Sequence, residues 1–240
     1  MALLTTKAIV ISAIKYSDSS LIVKIYTREA GLKTYLIKGV LKSKKGKLKA
    51  AYFQPLTQLS IVVSHQEKRN LHSIREAQVV HVYESIHTMI VKQSLVMFLA
   101  EILSSAIQEE EPNVLLFEYL EKSFVWLDSH DTISNFHLLF LLNLTKFLGF
   151  YPDTSESELH GFHLVEGLFT DQLNEKEVIK GEELIQFKKL LGMHFDSVDM
   201  SFSKNERQSV LQVLIRYFEL HLGGFKKPKS LAVLEAVFSR

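Results

Sequence analysis

The sequence predicts an α+β chain, an N-terminal five-stranded barrel followed by an α-helical bundle. Apolar and polar residues alternate through the first eighty positions, as in half-buried strands. From about residue 83 the apolar period becomes helical. The chain has 240 residues, 47% of them hydrophobic, with no internal repeat or low-complexity linker. That length suits two small domains, 1–80 and 81–240.

"KAIVISAIKYS" (7–17) and "SLIVKIYTR" (20–28) are the first two strands, rich in Ile, Val and Tyr on one face. "EAG" (29–31) turns the chain, and Gly31 is placed to take a positive φ. "LKTYLIKGV" (32–40) is the third strand, "QPLTQLSIVVS" (54–64) the fourth and "LHSIREAQVV" (71–80) the fifth. Five short strands with a long basic loop between the third and fourth fit the OB-fold, whose face and loops often hold oligonucleotides.

Helical spacing over 85–108 places Ile86, Met89, Ile90, Met97, Leu103 and Ile107 on one stripe. Pro112 then breaks the chain, and Asn113 is an N-cap for a helix over 114–128. Helix 133–148 is apolar almost all round, which marks the buried centre of the bundle, and Gly149 and Pro152 end it. Residues 153–175 are irregular, with a strand-like pair in "GFHLVEGLF". Helices follow over 181–191, 204–222 and 229–238. Ser203 and Glu206 have capping-box spacing, and Gly223 and Gly224 close the helix they begin.

The net charge of +1 hides a segregation. Residues 1–80 hold 14 Lys and Arg against 4 Asp and Glu; residues 81–200 hold 7 against 20. A basic N-terminal third is the footprint of a polyanion partner. Its densest part is "KGVLKSKKGKLKA" (38–50), where Lys38, Lys42, Lys44, Lys45, Lys47 and Lys49 each can neutralise a phosphate. One or two lysines would guard a sheet edge against aggregation. Six repel one another, which a folded protein avoids unless an anion relieves it. Tyr16, Tyr26, Tyr35, Tyr52 and Phe53 lie in the same third and either stack on bases or pack the barrel. Lys226, Lys227 and Lys229 form a second basic cluster, a secondary DNA contact or the decoration of a turn.

Nothing points to catalysis. There is no G-x-S-x-G and no H-E-x-x-H, and "GKL" (46–48) lacks the rest of a phosphate loop. Cysteine is absent, which removes disulfides, thiolate catalysis and cysteine-based metal sites and fits a reducing compartment. His160 and His163, near Glu156, Glu158 and Glu166, are the one candidate metal cluster; their loose spacing reads as a surface loop, so no metal or cofactor is expected. Asp196 and Asp199 lie in a polar connector. "LVMFLAEILSSAI" (95–107) and "FHLLFLLNLTKFLGF" (136–150) fall short of the roughly 20 residues of a membrane span. The first residues lack a basic stretch ahead of an apolar core. A cytoplasmic protein with no membrane partner is expected.

Several stretches together resemble the RecO family of bacterial DNA-repair and recombination mediators. They are "KAIVISAIKYSDSSLIVKIYTREAGL", with its Thr27-Arg28-Glu29 and Gly31 turn, then "KGVLKSKK", "YFQPLTQLSIVV", "LLNLTKFLGFYPD" (141–153) and "LIRYFELHLGGFKKPKSLAVLEAVF" (214–238). The resemblance runs along nearly the whole chain. It implies an OB-fold and a helical domain, binding of single- and double-stranded DNA, promotion of strand annealing, and recombinase loading. It implies as partners RecR and the acidic C-terminal tail of single-stranded DNA-binding protein, and a place in the bacterial cytoplasm, at the nucleoid during repair. Phosphate contacts are carried over only onto Lys38, Lys42, Lys44, Lys45, Lys47 and Lys49. Many relatives hold a four-cysteine zinc site after the Gly-Phe/Tyr-x-Pro-Asp step. Here that region reads "TSESELHGFHLVEGLF", so residues 153–175 are expected to hold their shape by packing alone. The alternative to a DNA-binding mediator is a protein-interaction scaffold whose basic loop binds an acidic protein.

Overall fold

The computed structural model describes residues 3–42, 47–65, 70–108, 111–195 and 202–238. The chain divides into two compact units, Met1–Ser129 and His130–Arg240.

In the first unit, strands β1 (Leu3–Tyr16), β2 (Ser20–Thr27), β3 (Gly31–Ile37), β4 (Gln58–Ser64) and β5 (Ser73–Val79) form one antiparallel sheet in the order β3-β2-β1-β4-β5. β1 is long enough to serve two partners: its first half pairs with β4 and its second with β2. The register shifts between Val10 and Ser12, where Val10 instead exchanges backbone bonds with Leu56 and Thr57 at 2.7 and 3.0 Å. Such a bulge bends the strand and adds twist, so the sheet curls around Val10, Val23, Ile25, Tyr35, Leu59, Ile61 and Val63. Gly31 turns β2 into β3 with φ +64°, a conformation open to glycine without steric cost.

The curl does not close into the expected OB-fold barrel. A barrel requires a ladder between β3 and β5. Among the described residues these edges meet at one isolated parallel bridge, Tyr35–His72, where Leu36 N–H donates to His72 O and His72 N–H to Thr34 O, each at 2.9 Å. Five alternating strands are the same input for an open curled sheet and for a barrel. Edge-to-edge pairing decides between them, and it lies outside what alternation encodes.

Helices α1 (Ile90–Ala106) and α2 (Val114–Ser129) complete this unit. Asn113 caps α2 as expected, its Oδ1 accepting from Leu116 N–H at 2.9 Å. The expected stripe on α1 is half wrong. Ile86, Leu103 and Ile107 are buried, but Met89, Ile90 and Met97 face outward, and Leu95, Phe98, Leu99 and Ile102 form the inner face. A helix this apolar offers several stripes, and its packing against β1 selects one. Lys92 is buried with it, and its Nζ donates to Ser85 Oγ (2.7 Å) and Asp128 O (2.8 Å). Burial pushes the Asp128 carboxyl up, but the backbone N–H groups of Glu84, Ser85 and Ile86 and the Ser85 hydroxyl outweigh it, so the group sits below the usual range.

In the second unit α3 (Phe136–Leu148) is buried along most of its length, as its apolar run predicts. A small sheet, β6 (Gly161–His163), β7 (Leu168–Thr170) and β8 (Val178–Lys180), runs in the order β7-β6-β8. Helices α4 (Glu182–Leu191), α5 (Lys204–His221) and α6 (Leu231–Val237) follow. The capping box on α5 forms: Ser203 Oγ accepts from Glu206 N–H at 3.3 Å and Glu206 returns the bond to Ser203 N–H at 2.6 Å. Residues 153–175 are tied down by aromatic packing. Phe162 meets Phe169, Phe187 and Tyr217 at 5.1, 4.8 and 6.0 Å, and Tyr217 O–H donates to Phe150 O at 2.8 Å. No helix among the described residues is long and apolar enough to cross a membrane.

Candidate nucleic-acid interface

The basic run begins where β3 ends. Gly39 takes φ +70°, which lets the chain turn tightly, and Leu41 N–H bonds Ser19 O at 2.9 Å while Lys42 N–H bonds Gly39 O at 3.2 Å. Val40 is buried in the sheet's core, while the lysines on either side of it, Lys38 and Lys42, are exposed. Lys44 and Lys45 lie outside the described residues. On the return, Leu48 and Ala50 pack on the same core while Lys47 and Lys49 are exposed. A 3₁₀ turn, Ala50–Phe53, then buries Phe53. The small apolar residues between the lysines are thus anchors that hold the charges at the surface.

The six cations are not equivalent. Among the described residues Lys38 and Lys42 make no ion pair. Lys47 Nζ lies 3.4 Å from Glu76, both well exposed, a contact of little energetic weight. Lys49 sits 6.0 Å from the centre of the Tyr52 ring. Two cations elsewhere in the basic third are matched by carboxylates. Lys7 pairs with Glu121 at 2.9 Å, and Arg28 with Glu29 and Glu118 at 3.2 and 3.1 Å. Glu118 and Glu121 belong to α2, which is held on the sheet by Tyr26 O–H to Asn113 O (3.2 Å) and Gln58 Nε2 to Glu121 O (2.9 Å).

Of the five aromatics in this third, Tyr26, Tyr35 and Phe53 are buried and serve packing; Tyr16 is exposed and Tyr52 half-buried. Tyr35 O–H lies 2.8 Å from His65 Nε2, and the His65 and His72 rings meet edge-on at 4.8 Å. Burial, with His72 and Lys33 nearby, holds the His65 imidazole below its ordinary value. Beside this cluster opens a groove of about 820 Å³, walled by the end of β3 with Lys38 and Leu48 on one side and by residues 70–74 on the other. Periodicity gives no sign of it, because its walls lie more than twenty positions apart in the chain.

The second basic cluster is exposed at Lys226, Lys227 and Lys229, with Lys227 Nζ 3.5 Å from Gln212 Oε1. The two histidines of the irregular region do not converge on Glu156, Glu158 or Glu166. His160 Nδ1 bonds Asp171 at 2.9 Å, and His163 Nε2 lies 3.4 Å from Glu175. Among the described residues no three His, Asp or Glu side chains are grouped to hold a metal ion.

Residues 1–83 match the family described as Recombination protein O N terminal, and residues 87–232 match Recombination protein O C terminal. The DNA repair protein RecO of Christiangramia forsetii is 50% identical over 237 residues, covering 98% of this chain and 99% of its own length. That of Flavobacterium johnsoniae is 47% identical with 98% of each chain covered, and that of Phocaeicola vulgatus 37% identical with 98% of each. With both halves matched in order and full-length relatives well above 30% identity, the chain belongs to the RecO family.

Proposed function

We propose that this protein is a non-catalytic, DNA-binding mediator of recombination in DNA repair, with Lys38, Lys42, Lys44, Lys45, Lys47 and Lys49 as its phosphate contacts. The observation that carries the site is the contrast in charge matching. Lys38 and Lys42 stand without a carboxylate among the described residues, whereas Lys7 and Arg28 have theirs. Exposed unpaired lysines on an anchored run release counterions when a phosphate backbone takes their place, without reading sequence. Single and double strands both present that backbone. Lys226, Lys227 and Lys229 are a secondary contact. By family, RecR and the acidic tail of single-stranded DNA-binding protein are the partners with which strand annealing and recombinase loading proceed in the bacterial cytoplasm.

The test is fluorescence anisotropy with a labelled single strand across a salt series. Wild type is compared with a variant in which Lys42, Lys44, Lys45, Lys47 and Lys49 are alanine. Each neutralised phosphate contributes about −0.7 to the slope of log affinity against log salt on single strands. The variant is expected to bind weakly, with a slope shallower by about two units or more. Equal binding by both proteins would move the DNA contact off this run. Absence of binding by either would favour a scaffold for an acidic protein.

A further inference from the structure

The groove at the meeting of β3 and β5 has a composition that phosphate binding alone does not call for. Its volume, about 820 Å³, falls within the range of small-ligand sites. One cation, Lys38, stands at its edge, while Leu48 and Leu71 supply apolar walls and Ser64, Asn70 and His72 supply polar groups. Ser64 is 8% exposed, and its hydroxyl has no hydrogen-bond partner among the described residues. His72 is held in place twice, by its two backbone bonds to β3 and by its ring contacts with His65 and Tyr35. Leu71, next to it, is 39% exposed.

We propose that this groove takes one unstacked base of a single strand, with the adjoining phosphate on Lys38. The inference rests on the DNA-binding reading above and adds a base contact to it. An unstacked base is a flat apolar body with donors and acceptors on its edge. Sites for extruded bases pair apolar or aromatic walls with a few polar groups that meet that edge. Leu48, Leu71 and the His72 ring are such walls; Ser64 and Asn70 are such groups. The charge fits as well. A base enters tethered to a phosphate on either side, and Lys38 is the exposed cation at the groove, continuous with Lys42 along the anchored turn. An acidic peptide with an apolar end would use the cation and the leucines but leave the hydroxyl and amide without a purpose.

The experiment compares two labelled strands of equal charge, a thymidine oligonucleotide of about twelve residues and an abasic strand of the same length. Lysine contacts with phosphate do not distinguish them, whereas a base site does. Wild type is expected to prefer the thymidine strand by about tenfold. Leu71→Ala and Ser64→Ala should each bring that ratio toward one while leaving the salt slope unchanged. Leu71 is partly exposed, so its variant should keep the wild-type thermal midpoint, which is checked in parallel. Equal affinity of wild type for both strands, with the salt slope intact, overturns the base site and leaves the phosphate reading standing. A preference that survives both substitutions also overturns it, since the base is then held elsewhere. An acidic peptide with an apolar end that displaces the strand from wild type but not from Leu71→Ala, with no preference between the strands, assigns the groove to a protein. If neither strand binds, both readings fall together.

Discussion

The two ends of strand β2 differ in one respect that matters more than their charge. At one end Arg28, with Lys7 bonded beside it through the backbone, meets the carboxylates of α2; at the other, next to Ser19 and Ser20, the turn through Lys38 and Lys42 meets none among the described residues. Both ends belong to the same +10 segment. A cation count therefore overstates the surface offered to a polyanion, because some of the charge holds a helix in place. Those pairs are partly exposed and contribute modestly. Their main effect is to take Lys7 and Arg28 out of the positive charge offered to a polyanion.

The largest expected effect separates the two units rather than the two ends. His137 in the second unit is buried, and burial, helped by Arg207, holds its pKa down to about 3 from 6.5. The unfolded chain therefore binds this proton more readily, so the stability is fully present above 6.5 and is lost as pH falls from there toward about 3. The slope is about 1.4 kcal/mol per pH unit, or roughly 3 kcal/mol between the ordinary histidine value and two units below it. Urea midpoints across that window should fall steeply for wild type and much less for His137→Gln; parallel slopes would refute the assignment.

A smaller effect tests the two ends directly. Alanine at Lys38 and Lys42 should flatten the single-strand salt slope by about 1.4 and weaken binding roughly 20-fold at 0.1 M salt. Alanine at Lys7 and Arg28 should leave the slope alone and lower the denaturation midpoint slightly. Equal slopes for the two variants would erase the distinction. The smallest effect sharpens it. Glu118→Gln with Glu121→Gln releases Lys7 and leaves Arg28 with Glu29 alone, and the salt slope should steepen by up to about 0.7 with only a slight loss of stability. An unchanged slope would mean that position, not pairing, keeps these cations away from DNA.

Much of this molecule was legible in its sequence because the signals are local. Alternation placed the five strands, Asn113 and Ser203 capped their helices, and the apolar run of α3 marked a buried helix. Each follows from the bonding and burial of residues a few positions apart. The lysine run was visible for the same reason, and so was the family, whose segments follow one another in order. Only the tertiary structure decided the rest. Packing on β1 turned Met89, Ile90 and Met97 outward, and one bridge at Tyr35–His72 left the sheet open. Helix α2 claimed Lys7 and Arg28, His160 and His163 took Asp171 and Glu175, and the groove joined Lys38 to Leu71. All of these are meetings between residues distant in the chain. Local preferences are indifferent to them, and they are chosen by what the folded surfaces bury and which charges they bring within reach.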